Sequence, residues 1–308
     1  MDQARSWNDY WLGDEAMSAT QRASELFRDS WREWLTGVFS DNPKARMLDA
    51  ACGAGAVTRE AIAVAEGMKA EPDIVCVDIA PAAIAKLADA PVTTLTADAK
   101  ALPFEAGEFD VLVSQFGVEY AGQEALSSMG RLLAPSGRAL MIAHMANGTI
   151  AKECSDNLHV LQTLIETDIV SKVSDVYMAL TSTTRAVDEE VEAFREAAEK
   201  CGAAAEAHAC PARDFAVQLF ADCSNVLNNH QAYRPEDMRP WFDGQRQAID
   251  AYAGRMNDML KASLDEAQAQ SVLEDWRRQG VEQCSVTPIT LEGDSQATAW
   301  RFEARNAA

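Results

Sequence analysis

The chain has 308 residues, of which 48% are hydrophobic and 24% are charged, as in an ordinary soluble globular protein. Its 48 acidic side chains outnumber 27 lysines and arginines, which leaves a formal net charge of −21. A field of that sign repels phosphate backbones and anionic lipid, so the composition disfavours nucleic acids and membrane surfaces as partners.

The first 147 residues divide into a helical cap and an alternating core. Residues 1–40 predict one or two amphipathic helices, because apolar side chains recur at helical spacing between Phe27 and Leu35. Strands are predicted at 47–51, 73–78, 92–97, 109–114 and 138–143, with helices at 58–66, 81–88 and 123–133. Continuous apolar strands that alternate with helices are typical of a parallel sheet covered on both faces, here spanning residues 41–147.

Two further regions follow the alternating core, one predicted to be helical and one predicted to form β-strands. Residues 148–280 contain no convincing strand and predict a helical insertion, with helices at 188–201, 215–225 and 245–261. Residues 281–308 predict a β-hairpin, with strands at 281–291 and 296–304 joined through Glu292, Gly293 and Asp294. We expect the hairpin to complete the core sheet. The insertion is interpreted as a substrate lid or as a homodimer face.

The strongest local signal follows the first strand. Asp49 lies near its end, and a turn through Gly53 and Gly55 then opens a helix. Glycines permit a tight turn and let a ligand approach the bare backbone, and the helix N-terminus supplies oriented N–H donors. In open parallel sheets, this is the edge at which nucleotides bind.

Two further acids end successive strands. Asp78 ends the second strand, where its two carboxylate oxygens can accept hydrogen bonds from both hydroxyls of a ribose. Asp98 ends the third strand and can accept from the exocyclic amine of adenine. Three acids at three strand ends, together with the glycine turn, predict a nucleoside-binding site.

Two cofactors compete for such a site. A dinucleotide would favour Gly-x-Gly-x-x-Gly, whereas the third glycine position is occupied by Thr58. Asp49 would also repel a pyrophosphate, while attracting a ligand that carries a cationic amino-acid moiety. The pattern therefore favours the second kind of ligand over a nicotinamide dinucleotide.

These motifs resemble those of the class I S-adenosylmethionine-dependent methyltransferases. Asp49 to Gly55 is similar to the first motif of that family, Asp/Glu-x-x-x-Gly-x-Gly, and Ser114 to Gly117 is similar to its fourth-strand motif. The turn before the fifth strand resembles the Pro-Gly-Gly turn of the family, with Ser136 in place of one glycine. The resemblance covers roughly 41–147 and 281–306 and leaves the insertion unexplained.

The resemblance implies an α/β fold: a Rossmann-like seven-stranded methyltransferase sheet with a C-terminal β-hairpin and a large all-helical insertion after strand 5. It implies S-adenosylmethionine as cofactor, held by residues of the strand ends. The implied cofactor residues are Asp49, Ala51, Cys52, Gly53, Gly55, Asp78, Ile79, Asp98, Ala99, Ser114, Gln115 and Tyr10. Tyr10 belongs to the N-terminal helix, which often covers the cofactor in this family.

Three residues are candidates for the chemistry. Glu119 and Tyr120 follow the fourth strand, and His144 ends the fifth, so all three are expected at the carboxyl edge of the sheet. A base is needed only when the nucleophile arrives protonated, and an unperturbed imidazole titrates near pH 6.5. We expect methyl transfer to a small-molecule acceptor through an oxygen, nitrogen, sulfur or carbon nucleophile. The alternatives are a non-catalytic scaffold that binds S-adenosylmethionine and a nicotinamide-dependent oxidoreductase.

The cysteines and the N-terminus bear on location. Seven scattered cysteines without a Cys-x-x-Cys pair predict no disulfide framework and a reducing cytoplasm. The first residues are polar and acidic, unlike a secretory signal. Cys201, His208 and Cys210 lie close in sequence, but a fourth ligand is not evident, so we predict no metal site.

Overall fold

The computed structural model describes residues 3–182, 187–291 and 293–306. Within it the chain forms two compact units. The first, here called the sheet unit, comprises Met1–Ile150 and Ala262–Ala308. The second, the helical unit, comprises Ala151–Lys261.

The sheet unit contains seven strands in one mixed sheet. They are β1 (Arg46–Ala50), β2 (Asp73–Asp78), β3 (Thr93–Thr96), β4 (Phe109–Gln115), β5 (Leu133–His144), β6 (Gln283–Ile289) and β7 (Ala299–Arg305). Their order across the sheet is β3-β2-β1-β4-β5-β7-β6. The first five strands run parallel, and β7 runs antiparallel to both β5 and β6. The predicted seven-stranded sheet with its C-terminal hairpin is thereby confirmed.

The sheet is buried on both faces because its strands carry apolar residues at successive positions. Leu48 and Val75 belong to one hydrophobic core, whereas their neighbours Met47 and Ile74 belong to the core on the opposite face. This division follows from the two-residue period of a strand. The same register brings the carboxyl ends of β1, β2, β4 and β5 to one edge of the sheet, which we call the carboxyl edge.

Helices of the sheet unit cover the two faces. They are α1 (Gln3–Leu12), α2 (Asp14–Asp41), α3 (Ala56–Met68), α4 (Pro81–Ile84), α5 (Gln123–Ser128) and α11 (Glu266–Arg278). Phe27, Trp31 and Leu35 of α2 pack on one face, in agreement with the predicted helical cap. On the other face Trp276 of α11 is buried, and its Nε1 donates to the carbonyl oxygen of Leu126 at 3.0 Å.

The boundary of the inserted region differs from the sequence-based interpretation. The predicted insertion runs to residue 280, whereas the helical unit ends at Lys261 and α11 belongs to the sheet unit. Asp265 begins α11 with a capping box, in which its carboxylate accepts from the backbone N–H of Gln268. One face of α11, including Leu273 and Trp276, then completes the core against the sheet.

The start of β5 and the connection between β6 and β7 also differ from their sequence-based predictions. β5 begins at Leu133 rather than Arg138, and Pro135–Gly137 forms an irregularity in its pairing with β4, with Ser136 in the left-handed region at φ +67°. The connection of the hairpin is longer than predicted, since β6 ends at Ile289 and β7 begins at Ala299. Glu292 of the predicted turn lies outside the described residues.

The helical unit has a hydrophobic core of its own. Its helices are α6 (Thr149–Glu166), whose first two residues belong to the sheet unit, α7 (Ile169–Thr181), α8 (Asp188–Ala207), α9 (Pro211–Asn228) and α10 (Pro235–Ala262). The amide oxygen of the buried Asn157 accepts from the backbone N–H of Ala212 at 2.7 Å, which joins α6 to the start of α9. Across the described ranges, no helix is both long and apolar enough to cross a membrane.

Candidate active site

The glycine turn at the end of β1 is wound through the left-handed region. Ala51, Gly53 and Gly55 have φ values of +52°, +54° and +81°, and α3 begins directly afterwards at Ala56. Side chains other than glycine adopt this region at a cost, which explains the two glycines. The backbone N–H of Cys52 donates to the carbonyl oxygen of Val77 at 2.9 Å, so the turn is anchored to β2.

Asp49 points into the protein and stabilises this turn. Its Oδ2 accepts from the backbone N–H and from the hydroxyl of Thr58, at 3.1 and 2.5 Å, in the first turn of α3. The side chain is 1% exposed. Burial raises the pKa of Asp49 to about 7, although the two Thr58 hydrogen bonds act in the opposite direction. The attraction expected between Asp49 and a cationic ligand is therefore weaker than the sequence indicated.

Asp78 connects the tip of the glycine turn to the end of β2. Its Oδ2 accepts from the backbone N–H of Gly53 and its Oδ1 from that of Ala80, both at 2.9 Å. Burial raises the pKa of this carboxyl, and hydrogen bonds from Ala80, Gly53 and Ile79 oppose the rise. Each oxygen retains acceptor capacity, so the carboxylate can still receive the hydroxyls of a ribose.

The other predicted cofactor residues lie around the same edge. Asp98 is half-buried and caps a short 3₁₀ turn by accepting from the backbone N–H of Lys100 at 2.9 Å. Ala99 follows it and is buried, and Ile79 is half-buried beside Asp78. The distance between Asp98 and Asp78 is set by β2–β3 pairing, in which Asp78 lies opposite Thr96. Their roles toward a cofactor stay predictions.

Two predicted residues at the end of β4 make contacts within the protein. The hydroxyl of the buried Ser114 accepts from the backbone N–H of Val118 at 3.3 Å. The amide oxygen of Gln115 accepts from Nε1 of Trp31 in α2 at 2.5 Å. Both contacts stabilise the loop that follows β4.

Helix α1 lies against the glycine turn and α4. A methyl group added at Gly53 would come within 2.6 Å of Cζ2 of Trp11, so glycine is required here for the close approach of the indole. The amide oxygen of Asn8 accepts from the backbone N–H of Ala82 at 3.0 Å. Tyr10, the predicted contact, has its ring 5.2 Å from that of Trp11. Sequence reasoning missed Asn8, whose contact with α4 has no local signal.

Glu119 and His144 form a buried pair at the carboxyl edge. Nδ1 of His144 lies 2.8 Å from Oε1 of Glu119, and the backbone N–H of His144 donates to the same oxygen at 3.1 Å. Oε2 of Glu119 accepts from the backbone N–H of Gly117 at 2.9 Å. The residues are 3% and 4% exposed. Because an ionised carboxylate only accepts, this arrangement favours the tautomer with hydrogen on Nδ1 and a free acceptor at Nε2.

Aromatic rings flank the imidazole of His144. The ring of Phe116 lies 4.4 Å from it, and that of Tyr120 lies 5.4 Å away and nearly perpendicular. Tyr120 in turn meets the indole of Trp7 edge-on at 4.8 Å. Phe116 lies within the predicted motif Ser114 to Gly117 but was not among the named site residues. Its φ of +52° is uncommon for an aromatic residue, and its ring faces His144.

The carboxyl edge fits a nucleoside-bearing cofactor. The carboxylate of Asp78 lies directly beside the turn at Gly53, and each of its oxygens keeps a free acceptor site. This carboxylate suits the hydroxyls of a ribose better than a pyrophosphate, whose negative charge it would repel. Among the described residues, no group of three or more His, Cys, Asp or Glu side chains is placed to hold a metal ion.

The chain is similar to known methyltransferases in sequence and in structure. Residues 47–137 match a family model described as a methyltransferase domain. No curated protein matches the chain. The plantazolicin methyltransferase BpumL in complex with S-adenosylhomocysteine is 10% identical over 98% of this chain and 95% of that chain, with a TM-score of 0.47.

Two other solved structures are matched over a smaller share of their length. The CurJ carbon methyltransferase is 14% identical over 86% of this chain and 49% of that one, with a TM-score of 0.40. An S-adenosylmethionine-dependent methyltransferase from Mesorhizobium loti is 20% identical over 37% and 54%, with a TM-score of 0.31. This chain thus spans about half the length of those two proteins.

The likeness to methyltransferases is carried by the matched segment and by the sheet. The matched residues run from β1 to the irregular start of β5 and contain the glycine turn, Asp78 and Asp98. The strand order with β7 antiparallel beside β5 is the expected order of the methyltransferase sheet. Residues 47–137 are therefore similar to a methyltransferase domain, and the sheet around them has the strand order of the methyltransferase fold.

Proposed function

We propose that the protein transfers a methyl group from S-adenosylmethionine to a small-molecule acceptor whose nucleophilic atom arrives protonated. The observation that carries this proposal is the buried pair of Glu119 and His144 at the carboxyl edge, beside the loop that follows β4. An acceptor that must lose a proton is helped by a positioned base, and Glu119 holds the imidazole of His144 in place for that role.

The cofactor's place is assigned from the strand ends. Asp78 would hold the ribose, Asp98 with Ile79 and Ala99 the adenine, and the backbone of Gly53 to Gly55 the methionine end. Asp49 supports the turn rather than touching the ligand, because its carboxylate is committed to Thr58. When bound, S-adenosylmethionine supplies a methyl group already activated by its sulfonium.

The side chains of this chain then position the acceptor and accept its proton. Glu119 fixes the ring of His144 through Nδ1, so that Nε2 is left as the base. Tyr120, whose ring lies edge-on to the imidazole, forms part of the acceptor's surroundings. The aromatic residues of α1 reduce the access of water, which favours an in-line transfer.

A small acceptor is favoured over a polymer. The net charge of −21 opposes the approach of nucleic acid. The predicted lid role of residues 148–280, the homodimer contact through them and the cytoplasmic location stay predictions. Six of the seven cysteines lie buried, and the seventh, Cys284, is half-buried.

The first experiment identifies the cofactor that binds and tests whether the protein transfers a methyl group. S-adenosylmethionine, S-adenosylhomocysteine and NAD are titrated into the full chain by calorimetry, and the loaded protein is then incubated with a metabolite extract. We expect the two adenosyl ligands to bind and S-adenosylhomocysteine to accumulate only when the extract is present. The His144→Asn variant should bind the cofactor normally and lose turnover.

Each alternative has its own outcome. Binding of S-adenosylmethionine without turnover in any extract would indicate a scaffold. Preferential binding of NAD would indicate an oxidoreductase. Unchanged turnover in His144→Asn would remove His144 from the chemistry, even if the protein proved to be a methyltransferase.

A further inference from the structure

We infer that the acceptor is a planar phenol or a comparable oxygen acid, held among aromatic rings with its O–H directed at Nε2 of His144. This inference rests on the proposed function and adds the chemical class of the acceptor. Two independent observations carry it: a row of rings that meets the imidazole, and the fixed tautomer of that imidazole.

The rings form a continuous row from α1 to β5. The indole of Trp7 lies 4.8 Å from Tyr120 at an interplanar angle of 82°, and Tyr120 lies 5.4 Å from His144 at 81°. Phe116 lies 4.4 Å from the imidazole at 41°. The two edge-to-face spacings, of Trp7 with Tyr120 and of Tyr120 with His144, are within the range that aromatic pairs prefer, so a further flat ring can join the row with contacts of the same kind.

The row includes half-buried members. Trp7, Phe116 and Tyr120 all retain partial exposure, whereas His144 is almost fully buried. A ligand that replaces the water on these three rings therefore gains apolar contact area while bringing one polar atom toward the base. A flat aromatic molecule with a single hydroxyl has that distribution of apolar and polar surface.

The base is directed at an acceptor that carries a proton. Glu119 accepts from Nδ1 and from two backbone N–H groups, of His144 and Gly117, so the carboxylate is held from both of its oxygens. In the described part of the chain, the imidazole of His144 makes its hydrogen bond to Glu119 through Nδ1, and Nε2 is the other ring nitrogen. It is the one imidazole nitrogen that can receive a proton from an acceptor.

Phenols match an imidazole base better than alcohols, thiols and amines do. Phenolic hydroxyls titrate near pH 10, about 3.5 units above an unperturbed imidazole, whereas a hydroxyl as weakly acidic as water lies about 9 units above it. Thiols ionise near pH 8.5 with little help, and a neutral amine can attack before it loses a proton. Among these oxygen, sulfur and nitrogen acceptors, a positioned base thus contributes most to a phenolic oxygen.

The step balances with groups already named. The acceptor oxygen forms a bond to the methyl carbon, the bond from that carbon to sulfur breaks, and its electron pair stays on sulfur. The hydroxyl proton passes to Nε2 of His144, and the resulting imidazolium is stabilised by Glu119 before the proton leaves to solvent. Glu119 is here a positioning residue, because it touches His144 rather than the acceptor.

The test uses matched acceptors with the full chain and saturating S-adenosylmethionine. Phenol, naphthol and phenanthrol are compared with naphthylamine, naphthalenethiol and the saturated alcohol decalol, and methylated products are measured by mass spectrometry. We expect at least one planar phenol to be methylated, and the matched amine and decalol to react at least about tenfold more slowly. Cofactor binding is measured separately by calorimetry.

Four substitutions distinguish a role in catalysis or acceptor binding from a general effect on the fold. His144→Asn should lower the rate with the phenol about 100-fold or more near neutral pH, and its residual rate should rise about tenfold per pH unit as phenolate forms unaided. Glu119→Gln should lower kcat with little effect on KM. Trp7→Leu should raise KM for the phenol, whereas Trp34→Leu, which removes a half-buried indole from α2 at the far end of the sheet, should change neither constant.

The outcomes separate this inference from the proposed function. If the protein binds S-adenosylmethionine but methylates no phenol, or prefers decalol or the amine, the acceptor class is wrong and the methyltransferase proposal survives. A flat pH profile of the residual His144→Asn rate would also overturn the assigned base. If no S-adenosylmethionine binds, the proposed function fails, and the acceptor class fails with it.

Discussion

Asp49 provides the sharpest stability prediction, because the fold buries it completely. Its pKa is raised from 3.8 to about 7, chiefly by burial. A carboxyl whose pKa is raised in the folded state stabilises the fold most below its unfolded pKa, and this contribution is lost as the pH rises through the folded pKa. The stability of the sheet unit should therefore fall between about pH 4 and pH 7 because of this single group.

The magnitude follows from the size of the shift. A rise of about 3 pH units, at about 1.36 kcal/mol per unit, corresponds to about 4 kcal/mol over the whole range. Between pH 5 and pH 8 the part that remains is about 2 to 3 kcal/mol. Asp49→Asn abolishes the titration while leaving an amide oxygen that can still accept from Thr58.

The assay is urea unfolding of wild type and Asp49→Asn at pH 5 and pH 8, followed by tryptophan fluorescence. Six of the seven tryptophans, all except Trp241, belong to the sheet unit, so the signal reports mainly on that unit. Relative to the variant, wild type should lose about 2 to 3 kcal/mol from pH 5 to pH 8. Asp89→Asn, which changes an exposed carboxylate, should parallel wild type. Equal pH dependence in wild type and Asp49→Asn would refute the reasoning.

Three further substitutions test the packing. Gly53→Ala should destabilise the sheet unit by about 1 to 3 kcal/mol in urea unfolding, and a Trp11→Ala background should recover only part of the loss, since the left-handed backbone remains. Trp276→Ala should cost about 3 to 5 kcal/mol, because it empties a site that is 1% exposed. Asn157→Ala should leave the N–H of Ala212 unpaired and destabilise the helical unit by about 1 to 3 kcal/mol, as followed by the fluorescence of Trp241.

The strands were predictable where burial on both faces makes the apolar run continuous. Asp73–Asp78 is a strand at the predicted bounds, and β4 differs from its prediction by one residue. The assignment of α11 was not predictable, because it depends on contacts such as that of Trp276 with Leu126, far apart in sequence. Local propensity carries no information about which unit a helix joins.

The sequence predicted that the site lies at the carboxyl edge of the sheet, but it did not predict the direction in which each side chain points. Parallel strands place their carboxyl ends together, so acids at the ends of β1 and β2 had to meet the same turn. The direction of Asp49 depends instead on the N–H groups of α3 that its carboxylate satisfies. The ring row from Trp7 to His144 joins residues more than 100 positions apart, and no sequence spacing reveals it.

The most direct test of the central claim is the affinity of the Asp78→Asn variant for S-adenosylmethionine. Calorimetry should show a loss of at least about tenfold relative to wild type, because hydrogen bonds to a charged group contribute about 1.5 to 3 kcal/mol each. Asp73→Asn, at the exposed amino end of the same strand, should bind as wild type does. Equal affinity in a folded Asp78→Asn protein, or no binding by wild type, would contradict the assignment of this edge as the cofactor site.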